Sequence, residues 1–370
     1  MIRSFKFKAK LSPSAVRKAN GQLALLRELY NAALQERRDH WKAGVSVGFY
    51  DQVRQIPAIR RLRPEFANMD AQATESPLRR LDLAFKAFYR RVKAGQSPGY
   101  PRFRSADSYD SVTFRQSGWK LEGKRLTLRG IGTLKLFLHR EIEGQVKTVT
   151  LRRDRCGDWF VTFACDGVAV CPFPATGQSI GVDVGLASFL TTSEGEHIPN
   201  PRPLRVREVA AKRAQRIVAK RKRGSNGRRR AVTLLAKHHR KVERARRDFH
   251  FKAAHALTQR YDLIAVEDLN VKGLAGGMLA KSVHDAGWGQ FLAILTAKAE
   301  SAGRVVVAVD PRNTSQLCSG CGNRVDKALS EREHHCQGCG LRLGRDENAA
   351  RNILARAGPA ARCPASRAAA

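Results

Sequence analysis

The sequence predicts an α/β domain carrying a metal-binding ribbon, preceded by a small antiparallel sheet or barrel that a helical segment interrupts. Three observations lead there. Short alternating segments separated by turns run between residues 111 and 165. Apolar strand-like runs, SIGVDVG and LIAVE, then alternate with long helical stretches. Near the C-terminus two CxxC pairs stand at the spacing of a zinc site.

Each element follows from local pattern. SFKFKAKL alternates as a first strand, and Pro13 and Ser14 mark a helix start. From there to about Lys93, LALLRELYNAALQERR and LRRLDLAFKAFYRRV repeat apolar residues every three or four positions, so Leu23, Leu26, Tyr30 and Leu34 are core candidates. GQSPGYPRFRS, Gly95 to Ser105, breaks the helices with prolines and glycines. SVTFRQ, WKLEGKRLTL, GTLKLFL, VKTVTLRR and DWFVTFAC supply the strands of the first sheet, which the N-terminal strand joins. After the linker CPFPATGQ, SIGVDVGLASFLTTSEGEHIPN reads as three strands. Two basic helices meet near Gly224–Gly227; then come the buried strand LIAVE, a Gly-rich loop, the helix GWGQFLAILTAKAESA, the strand RVVVAV, the cysteine motif and a last helix. The Ala- and Pro-rich tail after Gly358 is expected to be disordered.

Charge narrows the partners. The 370 residues hold 68 Lys+Arg against 33 Asp+Glu, a formal charge of +35. Such an excess favours a polyanion, because each phosphate neutralised releases condensed counterions. Between Pro201 and Arg260 there are 21 Lys/Arg and 3 acids, whereas a merely solvated helix pair would mix signs; contact with a nucleic-acid backbone is the better reading. Phe249, Phe251 and Tyr261 nearby are assigned to the core. No apolar run approaches the roughly 20 residues of a membrane span. No secretory signal opens the chain, so a cytoplasmic protein without a membrane partner is expected.

Against this basic background three acids stand out. Asp183 lies on the strand face opposite Ile180, Val182 and Val184; Glu267 ends the run LIAV; Asp346 opens the helix of GRDENAARNI, on the face of Ala349, Ala350 and Ile353. Two strand ends and a helix start, in the order β–β–β–α–β–α, can converge on one pocket. Hard Mg²⁺ takes oxygen ligands, and two such ions about 3.5–4 Å apart promote phosphodiester hydrolysis. Gly181 and Gly185 are expected to leave room for a phosphate backbone. Asp268, Asp310 and Glu347 are read as structural or supporting. Cys318, Cys321, Cys336 and Cys339 match a closed four-thiolate site for one structural Zn²⁺, with His334 and His335 as bystanders. No GxSxG, Walker or dinucleotide motif is present, so a Ser-His-Asp hydrolase has no support.

In GVDVGL, VEDLNVKGL, NTSQLCSGCG with CQGCG, and RDENAARNI, and more weakly in LYNAALQERR and GYPRF, the chain resembles the TnpB family, insertion-sequence-encoded RNA-guided nucleases related to type V CRISPR effectors. The resemblance runs over nearly the whole length. It implies a RuvC-like, RNase H-type nuclease at 173–312 with its last helix at 344–358, and a target-binding zinc ribbon at 313–343 inserted between them. A wedge β-barrel would occupy 1–12 and 105–172, a helical recognition domain 13–104, and a disordered tail 359–370. It implies Asp183, Glu267 and Asp346 as catalytic Mg²⁺ ligands, a guide RNA from the element's end, and cleavage of double-stranded target DNA beside a short motif. Family members often carry an aromatic residue near Asn313, which this chain lacks. A cleavage-inactive guided repressor, a strand-joining transposase and a general RNA-binding protein are the competing readings.

Overall fold

The computed structural model describes residues 1–328 and 330–358, so the expected disordered tail, 359–370, lies outside the described residues. The chain divides into two compact units, the first spanning Met1–Ala169 and the second beginning at Val170.

In the first unit, strand β1 (Arg3–Lys10) leads into helix α1 (Pro13–Lys42), then α2 (Phe49–Arg54), α3 (Ile56–Leu62), α4 (Pro64–Ala67) and α5 (Ala71–Lys93). Ser12 caps α1, its hydroxyl accepting from the Ala15 amide at 3.2 Å, with Pro13 next at the position where a missing N–H costs nothing. Strands β2 (Ser111–Phe114), β3 (Trp119–Glu122), β4 (Arg125–Leu128), β5 (Gly132–Phe137), β6 (Gln145–Arg153) and β7 (Trp159–Asp166) complete an antiparallel sheet of order β2-β6-β7-β1-β5-β4-β3. The first strand of the chain therefore joins the middle of the sheet, with Phe5 opposite Phe163 and Phe7 opposite Val161. Phe5, Phe7 and Ala9 alternate inward, as the period of two requires, onto a core shared with Leu26, Tyr30 and Leu34 of α1 and Leu78 and Leu81 of α5. The ladder leaves β2 and β3 as its ends.

The second unit holds β8 (Ser179–Val184), β9 (Ser188–Thr192), β10 (His197–Pro199), α6 (Pro203–Lys220), α7 (Asn226–Arg260), β11 (Leu263–Glu267), α8 (Val271–Leu274), α9 (Ala280–Ala286), α10 (Trp288–Ser301), β12 (Val305–Val309), the hairpin β13 (Glu333–His335) and β14 (Arg342–Gly344), and α11 (Arg345–Arg356). Its five-stranded sheet has the order β10-β9-β8-β11-β12. Within it β8–β9 and β9–β10 pair antiparallel, and β8, β11 and β12 run parallel. Two short helices, α8 and α9, occupy the stretch expected to be only a Gly-rich loop; Asn270 caps α8 by accepting from the Gly273 amide at 3.0 Å.

The two faces of this sheet have different covers. Ile180, Val182, Ile264 and Val266 pack against α7 and α10 through Ala254, Leu257, Phe291 and Leu295. On the opposite face Leu263, Ala265 and Val309 pack on Ile353 of α11 and on Ala357, its C-cap. Gly181 explains how closely α11 settles: a Cβ there would lie 2.0 Å from the Ala350 carbonyl oxygen and 2.9 Å from the Leu354 amide nitrogen. At Gly185 a Cβ would lie 2.9 Å from the Ser188 carbonyl. The room at both glycines is thus taken by the protein's own backbone, correcting the expectation that it is reserved for phosphate.

A buried ion pair fixes the entry to the sheet. Arg304 binds Asp262, whose carboxylate also accepts from the amides of Thr176 and Gly177 at 2.9 and 2.8 Å. Among the described residues no helix is long and apolar enough to cross a membrane.

Because backbone cannot yield as a flexible side chain can, Gly181→Ala should cost about 3 kcal/mol by forcing α11 off the sheet. Equilibrium denaturation reads this as a lowered midpoint; an unchanged midpoint would refute so close a seating.

Candidate active site

Strand parity brings the carboxylates to one side. Asp183 shares its face of β8 with Gly181, and Glu267 shares its face of β11 with Leu263 and Ala265; both faces are the one α11 covers. The strands are parallel and in register, Val182 opposite Val266, so Asp183 and Glu267 are the next residues along at the same sheet end. Asp346 enters from above, in the first turn of α11. An acid there is favoured by the helix dipole.

Electrostatics records the convergence. Burial first, then the charges of Glu267 and Asp346, push the Asp183 carboxyl up to about 8, with Arg345 acting in the opposite sense. Glu267 is also raised, mainly by burial, while a hydrogen bond from Thr314 and the charge of Arg356 oppose the rise. The carboxylate oxygens are not packed as tightly as the cysteines: among the described residues, only the four thiols form a group of three or more such ligands within 4.8 Å of one another. Facing carboxylates repel, and a divalent cation offsets that repulsion, so this all-oxygen set fits a hard ion such as Mg²⁺.

Thr314 escaped the sequence reading. It is buried, and its hydroxyl donates to Glu267 Oε1 and lies 3.1 Å from the Pro311 carbonyl. Nothing in its local pattern announces this; its neighbour Asn313 is left-handed at φ 58°, a conformation Asn tolerates better than most residues, at the point where the expected aromatic is missing. Of the remaining acids, Asp310 caps the Arg312 amide at 3.0 Å and Glu347 pairs with Arg351 at 2.8 Å, consistent with supporting roles.

The cysteines close on themselves. Cys318 Sγ lies 3.6 Å from Cys339 Sγ, and Cys321 Sγ lies 3.5 Å from Cys336 Sγ. A tetrahedron with Zn–S bonds of about 2.3 Å has edges of about 3.8 Å, so the cluster fits a structural zinc. The histidines stay outside it: His334 is buried with its Nδ1 2.6 Å from Lys327 Nζ.

Helices α6 and α7 flank the turn 221–225, where Ser225 caps α7 by accepting from the Arg228 amide at 3.1 Å. Their three acids can pair only a few of their seventeen Lys/Arg; Glu208 takes Lys212 of α6 and Lys281 of α9, and Asp248 takes Lys252. Phe249 and Tyr261 are core residues as expected, but Phe251 is exposed, with the Arg247 guanidinium 5.4 Å from its ring centre. Periodicity along so polar a helix does not separate the two phenylalanines.

Residues 168–277 match a family model described as "Probable transposase", and residues 288–353 match one described as "Cas12f1-like, TNB domain". A Streptomyces pristinaespiralis protein named "Putative RNA-guided DNA endonuclease" is 33% identical over 343 residues, 90% of this chain and 78% of its own. From Escherichia coli (strain K12), "Putative RNA-guided DNA endonuclease InsQ" is 28% identical over 304 residues, 77% and 74% of the two chains. Among solved structures, the "Cryo-EM structure of the Cas12f1-sgRNA-target DNA complex" superposes with a TM-score of 0.59 at 15% identity, over 92% of this chain and 82% of that one, a likeness of fold.

Two outcomes follow from the site. Unfolded, the Asp183 carboxyl titrates near 3.8; folded, near 8. Between those values the unfolded chain has released a proton that the folded chain holds, so rising pH withdraws stability across that window and no further above it. Metal-free melting temperatures should fall from pH 5 to 8 and fall less in Asp183→Asn, with added Mg²⁺ restoring most at the upper end; parallel profiles for the two proteins would contradict the shift. For the thiols, metal analysis should find one zinc per chain, and Cys318→Ser should lose it along with a large part of the thermal stability. A zinc-free protein that melts unchanged would remove the metal from the account.

Proposed function

This chain belongs to the TnpB family, and from that membership and the acid-lined sheet end we propose that it is an RNA-guided DNA endonuclease that cuts target DNA beside a short transposon-associated motif. The observation that carries the reading is the parity of the strands: Asp183 and Glu267 share the face and end of the sheet that α11 covers, and Asp346 joins them. Strand order supports an RNase H-type, RuvC-like domain, since the third, second, first, fourth and fifth strands of the unit lie side by side, the first three antiparallel and the last two parallel to the first. The other assignments follow the family: residues 1–12 and 105–172 form the wedge, 13–104 the recognition helices, and 313–343 the zinc ribbon.

Asp183, Glu267 and Asp346 would hold two Mg²⁺ ions, which when bound supply an activated water and charge stabilisation for the leaving oxygen. The protein's own contribution is arrangement. Thr314 orients Glu267 through its hydroxyl. Asp183 keeps its proton at neutral pH until cationic charge makes ionisation favourable. The paired thiols serve folding, being coordinatively closed. The cationic faces of α6 and α7 would hold guide RNA and heteroduplex by their backbones, while base pairing reads the sequence.

The test is a supercoiled plasmid carrying a target matched to the bound guide. Wild type should cut it in Mg²⁺ and not in EDTA, and Asp183→Ala should cut at least about a thousandfold more slowly while still binding guide and target. An intact plasmid under a bound wild-type complex would favour the repressor reading; strand-joined products would favour the transposase.

A further inference from the structure

A chain of polar contacts, most of them partly buried, links the cysteine knuckle to two of the three carboxylates. The segment 314–319 carries Thr314 at one end and Cys318 near the other. Asn348, wholly buried, donates from Nδ2 to the Leu317 carbonyl at 2.7 Å and accepts at Oδ1 from the Ser319 amide at 2.9 Å. One turn further along α11, Asn352 donates to the same Leu317 carbonyl at 2.7 Å and to the Thr314 carbonyl at 2.8 Å. Thr314 in turn donates to Glu267 Oε1. On the other flank of Asp346, the Arg345 amide donates to the Arg332 carbonyl at 2.7 Å, and its guanidinium reaches the Ala328 carbonyl at 2.8 Å. Asp346 is therefore held between two residues fastened to the ribbon, and Glu267 is gripped by the strap that leads into it.

We propose that Thr314, Asn348 and Asn352 are positioning residues that make the carboxylate geometry conditional on the folded cysteine knuckle. The proposal rests on the nuclease reading and adds to it a structural dependence of the acid site on the ribbon. Once the knuckle opens, the strap 314–319 loses its shape, buried Asn348 and half-buried Asn352 lose their partners, and a buried polar group left unpaired is costly enough to drive rearrangement. Glu267 and Asp346 then lose their restraints together. Outer partners of metal ligands typically alter metal affinity by about 10- to 100-fold, so the effect should appear in the Mg²⁺ requirement before it appears in target binding.

The experiment uses the full chain with its bound RNA. Thr314→Val removes the hydroxyl while keeping the shape; it should retain its zinc and wild-type affinity for target DNA, yet need about tenfold more Mg²⁺ for half-maximal cleavage. Thr314→Ser should restore the wild-type requirement. In parallel, hydrogen exchange is followed in Cys321→Ser, where residues 345–352 should exchange faster together with the ribbon. A Thr314→Val protein with the wild-type Mg²⁺ curve, or faster exchange confined to the ribbon while 345–352 stay protected, would overturn the coupling. If the wild type does not cut at any Mg²⁺ concentration, the nuclease reading fails, and the exchange measurement alone decides whether the ribbon holds α11.

Discussion

Helix α11 settles on the second sheet so closely that the Ala350 carbonyl occupies the space a side chain at position 181 would need. That contact, together with Ile353 and Ala357 packing on Leu263, Ala265 and Val309, sets the height of the helix above the sheet. Asp346 is carried in its first turn, so the same contact sets the third carboxylate against the two on the strands. Apolar burial provides the drive and glycine removes the obstacle; neither alone would place an acid over a strand end.

The placement works against electrostatics. Asp183 is buried, with the charges of Glu267 and Asp346 added to that burial, and its pKa is pushed up to about 8 as a result. A fold that tolerates this has a region of local destabilisation, a common mark of functional sites. The restraints around it have a matching character: Thr314 on Glu267, Asn348 and Asn352 on the strap, and Arg345 on the ribbon. Elsewhere charge is used differently. The surface of α6 and α7 carries cations far in excess of its acids, as suits a partner whose phosphates lie outside the protein.

Much of this was legible from local pattern. Alternation in SIGVDVG and LIAVE put Asp183 and Glu267 on defined strand faces, the three-residue spacing in GRDENAARNI put Asp346 over apolar neighbours, and paired CxxC knuckles picked out the four thiols. Cap and turn chemistry placed the break between α6 and α7. What escaped the sequence depends on contacts across space. Gly181 reads as a gap for a ligand until the helix that fills it is seen. Thr314, Asn348 and Asn352 bind backbone carbonyls and a carboxylate far away in the chain, and no periodicity marks them. Likewise β1 enters the middle of the first sheet because β5 and β7 flank it, a pairing that alternation alone does not specify.

The central claim, that three separated carboxylates form one divalent-cation centre, is tested most directly by crystals of the protein–RNA complex grown with Mn²⁺. Anomalous scattering should place manganese between Asp183, Glu267 and Asp346. Manganese bound elsewhere, with these three side chains left facing solvent and unligated, would contradict it.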